Sequence, residues 1–252
     1  MNPEIPKSRR WIVWTVGVVV AAVVVLVGGP FVYIHFIEGK APAKFHLSTA
    51  ARSGSTTTGA PASSSSSPSS PSAGSSSSSV DGTWKVASGS QAGYRIEEVL
   101  FGQSNTAVGR TNSVTGTITV TGTSVSKGSF TVDMTTVKSD RTQRDHQFQG
   151  RIMQTSMYPT STFTLTKPID LGTVPPDGKS VTAGATGDLT LHGTTRPVTF
   201  SVTAQRRGSS IQVTGSIPIT FADWNISNPS FGGTVTTQDH GILEFLLNLS
   251  PA

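Results

Sequence analysis

The sequence predicts an all-β domain of antiparallel strands, preceded by one transmembrane helix and a disordered linker. Three observations carry this. From Val80 onward, apolar and polar residues alternate at period two in about eight short runs separated by turn residues. Ahead of them, the 27 residues from Trp11 to Ile37 contain no Asp, Glu, Lys or Arg. Between the two, residues 48–79 are almost wholly Ser, Thr, Gly, Ala and Pro.

The apolar run W-I-V-W-T-V-G-V-V-V-A-A-V-V-V-L-V-G-G opens at Trp11. As a helix it spans ~28 Å, close to the ~30 Å hydrocarbon core of a bilayer. Trp11 and Trp14 mark one end and Phe31, Tyr33 and Phe36 the other, as interfacial aromatic belts require. Lys7, Arg9 and Arg10 precede the run, which puts the N-terminus in the cytoplasm and everything after residue 40 outside the cell membrane. Residues 1–47 therefore read as a cytoplasmic N-terminus followed by a single-pass signal anchor. The competing reading is a cleaved signal peptide ending at Ala41-Pro42-Ala43, but the apolar run exceeds the usual ~7–15 residues of such a core. Residues 48–79 have no apolar surface to offset the entropy of ordering and read as a disordered spacer with a reach of ~30 Å.

Residues 80–252 are long enough to bury one core. Phe130, Val132 and Met134 alternate with Thr131, Asp133 and Thr135; Phe163 and Leu165 alternate with threonines. Leu189 and Leu191 flank Thr190, and Val198, Phe200, Val202 and Ala204 share one parity. Ile211, Val213, Ile217 and Ile219 keep parity across Gly215, and Leu243, Phe245, Leu247 and Leu249 form a last face. Thr on the outward positions suits a solvated strand. Periodicity alone allows either a barrel or a sandwich. One short helix is predicted over Gln143–Met153, with Phe148 and Ile152 on one face and Asp140 as its cap.

Charge excludes some functions. Residues 1–79 hold Lys7, Arg9, Arg10, Lys40, Lys44 and Arg52 against Glu4 and Glu38, a net +4 of the chain's +5. The β domain is nearly neutral, whereas a nucleic-acid binder shows a basic face. With no cysteine, thiol nucleophiles and cysteine metal sites are excluded. His146, His192 and His240 lack metal-site spacing, no G-x-S-x-G elbow is present, and the domain reads as a non-enzyme without a cofactor. Asn225-Ile226-Ser227 and Asn248-Leu249-Ser250 are chance matches to a glycosylation pattern.

Several words remain: D-G-T-W-K-V from Asp81, G-Y-R-I-E-E from Gly93, V-G-R-T-N-S-V-T-G-T-I-T-V from Val108, S-D-R-T-Q-R-D from Ser139, M-Y-P-T-S-T-F from Met157 and G-D-L-T-L-H-G-T-T-R-P-V from Gly187. In this order they resemble the bacterial YceI-like family across most of 80–252. The resemblance implies a lipocalin-like antiparallel β-barrel of about eight strands. It also implies an apolar tunnel for an isoprenoid lipid such as menaquinone, ubiquinone or a polyprenyl phosphate. Tunnel candidates are Phe130, Val132, Met134, Phe163, Leu165, Leu189, Leu191, Phe200, Val202 and Phe245; head-group candidates are Arg144, His146 and His192. For Arg144-Asp145 the alternative is a structural anchor, and for His192 a hydrogen-bonded turn residue. Inward Ala183, Ala185, Ala204 and Gly215 are expected to leave room for the tail or to permit strand curvature. Two segments depart from the family pattern, Arg151–Thr155 and Phe221–Gly233, and both are expected at the tunnel mouth. The expected function is a membrane-tethered, extracytoplasmic carrier or sequestering protein for such a lipid. The alternative is an interaction module for a membrane or envelope protein, which requires a filled interior. The oligomeric state is open.

Overall fold

The structure, a computed structural model, describes residues 7–25, 29, 41–48 and 80–252. Thirteen strands follow in chain order: β1 (Gly82–Val86), β2 (Gln91–Leu100), β3 (Gln103–Thr111), β4 (Val114–Thr121), β5 (Ser124–Asp133), β6 (Lys138–Ser139), β7 (Thr160–Lys167), β8 (Ile169–Asp170), β9 (Ser180–Leu191), β10 (Thr194–Arg207), β11 (Ser210–Thr220), β12 (Val235–Thr237) and β13 (His240–Pro251). Every pairing is antiparallel.

Eight of these strands close a ring in the order β1, β4, β5, β7, β9, β10, β11, β13 and back to β1. The seam is short, with Trp84 opposite Pro251 and Val86 opposite Leu249. Closure resolves the choice left open by periodicity: a ring has no edge, a sandwich has four. Beyond the seam, β13 pairs with β2, and the β2–β3 hairpin carries the wall further toward one end. That end, where the β2–β3 and β9–β10 turns lie, is called the upper end. The Val174–Gly178 and Arg207–Ser209 turns lie at the lower end.

Two tight turns depend on unusual backbone. Phe101-Gly102 joins β2 to β3 and His192-Gly193 joins β9 to β10, with φ of 49° and 79° in the first and 49° and 73° in the second. A two-residue hairpin turn of type I′, which matches strand twist, places both of its residues in the left-handed region. A bulky Phe there is strained, by ~1–2 kcal/mol.

The helical connection between β6 and β7 lies where the sequence predicts it, but only its first half is α-helix. An α-helix, α2, covers Thr142–Gln147 and passes into a wider turn over Phe148–Ile152, where the Met153 N–H donates to the Phe148 carbonyl at 2.8 Å. Asp140 is not its cap. Arg141 takes that place without a side-chain bond, because the Asp140 carboxylate is taken up by Arg144. Phe148 and Met153 are buried over the upper end, Phe148 stacking on Tyr94 at 5.0 Å.

At the N-terminus, helix α1 covers Lys7–Val23. No helix among the described residues is long and apolar enough to cross a membrane. The rest of the span expected over 11–37 lies outside the described residues, save Val24, Val25 and Gly29. So do residues 49–79 of the expected linker. Residues 41–48 take a different place from the one expected. Assigned by sequence chiefly to the anchor region, they pack on the barrel: Arg95 Nη2 donates to the Pro42 carbonyl at 2.7 Å, Arg110 Nη2 to that of Ala43, and the Ser48 N–H to Gln212 Oε1 at 3.1 Å.

The lower core forms around the seam: Trp84 Nε1 donates to the Val80 carbonyl at 2.8 Å, and Leu249 is fully buried beside Trp84, Val120 and Ile211. Leu249→Ala removes the centre of this cluster and is expected to cost about 2–5 kcal/mol of stability. A urea titration of the purified chain reads this as a lower midpoint at unchanged slope.

Candidate functional site

Strand alternation sends one side chain in two toward the barrel axis, and these inner side chains do not meet. They leave a cavity of ≈ 810 Å³. It runs from Phe101, Arg144 and Phe231 at the upper end to Leu171, Val174 and Arg206 at the lower. Its volume falls in the upper part of the ~300–1,000 Å³ range of small-molecule sites. Phe130, Val132, Met134, Phe163, Leu165, Leu189, Leu191, Phe200, Val202 and Phe245 all line it, joined by Ile118, Ile217, Ile219 and Leu243.

The open lumen has a structural cause. Four inward aromatic rings lie over glycines of neighbouring strands. A Cβ on Gly109 would stand 2.3 Å from Tyr94 Cε1, on Gly187 2.4 Å from Phe163 Cζ, on Gly116 2.6 Å from Phe130 Cδ1, and on Gly215 2.6 Å from Phe245 Cζ. Each ring thus rests against bare backbone along the wall. With any side chain beneath it, the ring would have to turn toward the axis. Gly215 therefore makes room for Phe245 and not directly for a ligand, as its small size alone implied. Phe200 joins two of these rings edge to face, Phe163 at 5.4 Å and Phe245 at 6.1 Å, forming an aromatic waist.

Polar groups gather at the upper end. Glu98 on β2 points inward and is buried. It accepts from Asn105 Nδ2 at 2.7 Å and from Arg144 Nη2 at 3.1 Å. Arg144 also binds Asp140 one helical turn back. Asp145 accepts from the Ser139 N–H and Oγ, each at 2.7 Å, which ties α2 to β6. The pair Arg144-Asp145 is thus an anchor for α2, and Arg144 at the same time lines the cavity. Burial pushes the Tyr94 phenol well above its usual range, the nearby Arg144 opposing and Asp145 and Glu98 reinforcing the rise.

The histidines stand elsewhere. His146 is exposed on α2 and does not line the cavity. His192 is buried in the β9–β10 turn with its Nδ1 3.2 Å from the Trp224 carbonyl and its ring edge-on to Tyr158 at 4.6 Å. It too lies off the cavity lining. No group of three or more metal-binding side chains occurs among the described residues. Sequence reasoning missed Glu98, whose carboxylate at an inward position of a buried strand was the available signal.

Arg151–Thr155 and Phe221–Gly233, singled out by sequence, meet at the upper rim. Arg151 Nη2 donates to the Pro229 carbonyl at 3.1 Å, and its guanidinium lies 5.9 Å from the centre of the Phe231 ring.

Two outcomes follow. Gly215→Ala sets a methyl against the Phe245 ring and is expected to turn that ring into the lumen, lowering uptake of a long-chain fluorescent lipid while the barrel stays folded. Overpacking of this kind costs about 1–3 kcal/mol, which thermal melting checks separately. Second, an unfolded tyrosine ionises near pH 10 while buried Tyr94 does not, so stability falls as pH rises above about 10. Tyr94→Phe is expected to flatten that alkaline loss in urea midpoints measured across pH.

The comparisons with known proteins agree with this architecture. Residues 84–249 match the family model described as the YceI-like domain. A 76-residue segment is 41% identical to a UPF0312 protein of Vibrio campbellii, covering 30% of this chain and 36% of that one. Related Vibrio parahaemolyticus and Vibrio vulnificus proteins are 40% and 39% identical over similar lengths. The chain spans little more than a third of the curated relatives it matches. Among solved structures, a polyisoprenoid binding domain from Saccharophagus degradans, implicated in plant cell wall breakdown, superposes with a TM-score of 0.55 at 16% identity, over 67% of this chain and 98% of that one. Burkholderia cenocepacia BcnA gives 0.49 at 19% identity, over 63% and 95%. With the family model covering most of the barrel, from Trp84 through Leu249, the chain belongs to the YceI-like domain family.

Proposed function

We propose that the barrel is a non-enzymatic binding protein that takes an isoprenoid lipid tail into its cavity. The elongated ≈ 810 Å³ space walled by aromatic and aliphatic side chains carries this reading. Such a wall binds by burial, at about 25 cal/mol per Å² of apolar surface, and needs few polar contacts. The structural likeness to a domain named for polyisoprenoid binding supports the same ligand class. A cavity of this size also speaks against the interaction module, which needs a filled interior.

A neutral head group of quinone type, as in menaquinone or ubiquinone, suits the upper end better than a phosphate. Arg144 there already faces the carboxylates of Glu98 and Asp140, and a phosphate would add a third anion beside them. Residues 11–37 hold the protein in the cell membrane, uncleaved, with the barrel on the extracytoplasmic side. The apolar side chains of Trp14, Val16, Val18, Val19 and Val20 on α1 are all exposed, as contact with lipid tails requires.

The test is lipid extraction and mass spectrometry on the full chain purified under native conditions. A co-purifying isoprenoid quinone at near-stoichiometric amount is the expected result. A co-purifying polyprenyl phosphate keeps the carrier and overturns the head-group assignment. An empty protein that takes up neither added quinone nor added polyprenyl phosphate overturns the carrier.

A further inference from the structure

The outer wall of the barrel carries a buried polar cluster that a free barrel would have no reason to bury. Arg95, Val108 and Glu244 point outward by strand alternation, opposite in sense to Tyr94, Ala107 and Phe245, yet they are only 7%, 4% and 4% exposed. Glu244 accepts from Arg95 Nε at 3.2 Å and from Arg110 Nη2 at 2.8 Å. Further donors of both arginines reach the Pro42 and Ala43 carbonyls, and the Phe45 ring lies 4.0 Å from the Arg110 guanidinium. Residues 41–48 are therefore a strap over this cluster.

The strap has a direction. Pro42 meets Arg95, which pairs with Ile242, and Ser48 meets Gln212, which pairs with Asn248. It thus runs along β13 from the upper part of the barrel downward. Its residue-41 end therefore faces the upper end, the end that carries Phe101 and Phe231.

That end has an unusual rim. Phe101 is 49% and Phe231 60% exposed, and both line the cavity, so the cavity opens between them. Val99 stands beside them, 42% exposed. Phe101 is held at its turn tip by a left-handed backbone that a bulky side chain rarely adopts. Exposed Arg151 stands against Phe231. Aromatic rings paired with a guanidinium suit the bilayer interface, the rings at the level of the acyl boundary and the cation among phosphates.

We propose that the upper rim is a membrane-docking face, seated on a phospholipid bilayer through Phe101 and Phe231 with Arg151 beside them, and that the strap holds the barrel in this orientation. The cavity then opens directly onto the bilayer. The strap's share of this rests on residues 11–37 being the anchor; the rim's share does not.

The chain contains no cysteine, so single-cysteine variants label uniquely. Ser104→Cys marks the upper rim, Ser209→Cys the lower end and Val19→Cys helix α1. The full chain carrying an environment-sensitive fluorophore at one position is reconstituted into phosphatidylcholine–phosphatidylglycerol vesicles containing nitroxide-bearing lipid. The expected result is quenching several-fold stronger at position 104 than at 209, falling to the level of 209 when Phe101 and Phe231 are both changed to Ser. Equal quenching at 104 and 209 in the parent chain overturns the docking face. Quenching at position 19 reports the anchor separately, so the anchor reading and the docking face fail independently.

Discussion

The open interior depends on one constraint, the placement of large rings over glycines. Barrels of eight strands are narrow enough for side chains to fill them. Here Tyr94, Phe130, Phe163 and Phe245 are big enough to do so, and they are kept from it by Gly109, Gly116, Gly187 and Gly215 on the facing strands. Each pair gives the wall a buried aromatic surface while withdrawing the ring from the axis. The same contacts hold register, since a slip of one residue would put a side chain beneath every ring. Lumen and wall stability therefore come from the same contacts, and the cavity is not a packing defect that repacking could close.

Two carboxylates sit on either side of that wall, and their neighbours differ in purpose. Glu98 is inside, at the polar end of an apolar space, where an unpaired carboxylate would cost several kcal/mol. Asn105 and Arg144 satisfy it, and through Arg144 the crossover helix is fixed over the cavity end. Glu244 is outside, where an exposed pair would contribute about 0–1 kcal/mol. The strap changes its status: by covering Arg95 and Glu244 it turns a surface pair into a buried one, with Arg95 Nη2 bound to the Pro42 carbonyl. Strap and cluster thus require each other, and a stretch of only eight residues can be ordered without secondary structure of its own.

Much of the fold was legible because barrel strands obey a period of two. The inward residues of β5, β7, β9, β10, β11 and β13 could be read directly. What the sequence hid has physical reasons. The glycine–aromatic pairs involve residues far apart in sequence, such as Gly215 and Phe245, and become visible only once register is known. Arg95 is outward by alternation, and what buries it lies some fifty positions earlier in the chain. Asp140 had the chemistry of a helix cap, but an arginine one turn on outcompeted the backbone for its carboxylate. His192 and Arg144 were both candidates for a head group, and only the three-dimensional arrangement separates a turn residue from one at the cavity.

A closed wall also restricts how any ligand gets in. The ladder hydrogen bonds run round the ring, so a tail cannot enter sideways without breaking several of them, and entry is confined to the ends. Selectivity then divides by position. The aromatic waist and aliphatic wall reward any flexible apolar chain of sufficient length and distinguish poorly between tails, because burial is non-directional. Discrimination must come from the upper end, where Glu98, Arg144 and Arg151 line the cavity together with the exposed rings. Under the proposed function, the residues that would choose the lipid are thus also those it would pass on entry. A change at this rim would then alter rate and preference together, while a change at the waist would alter capacity alone.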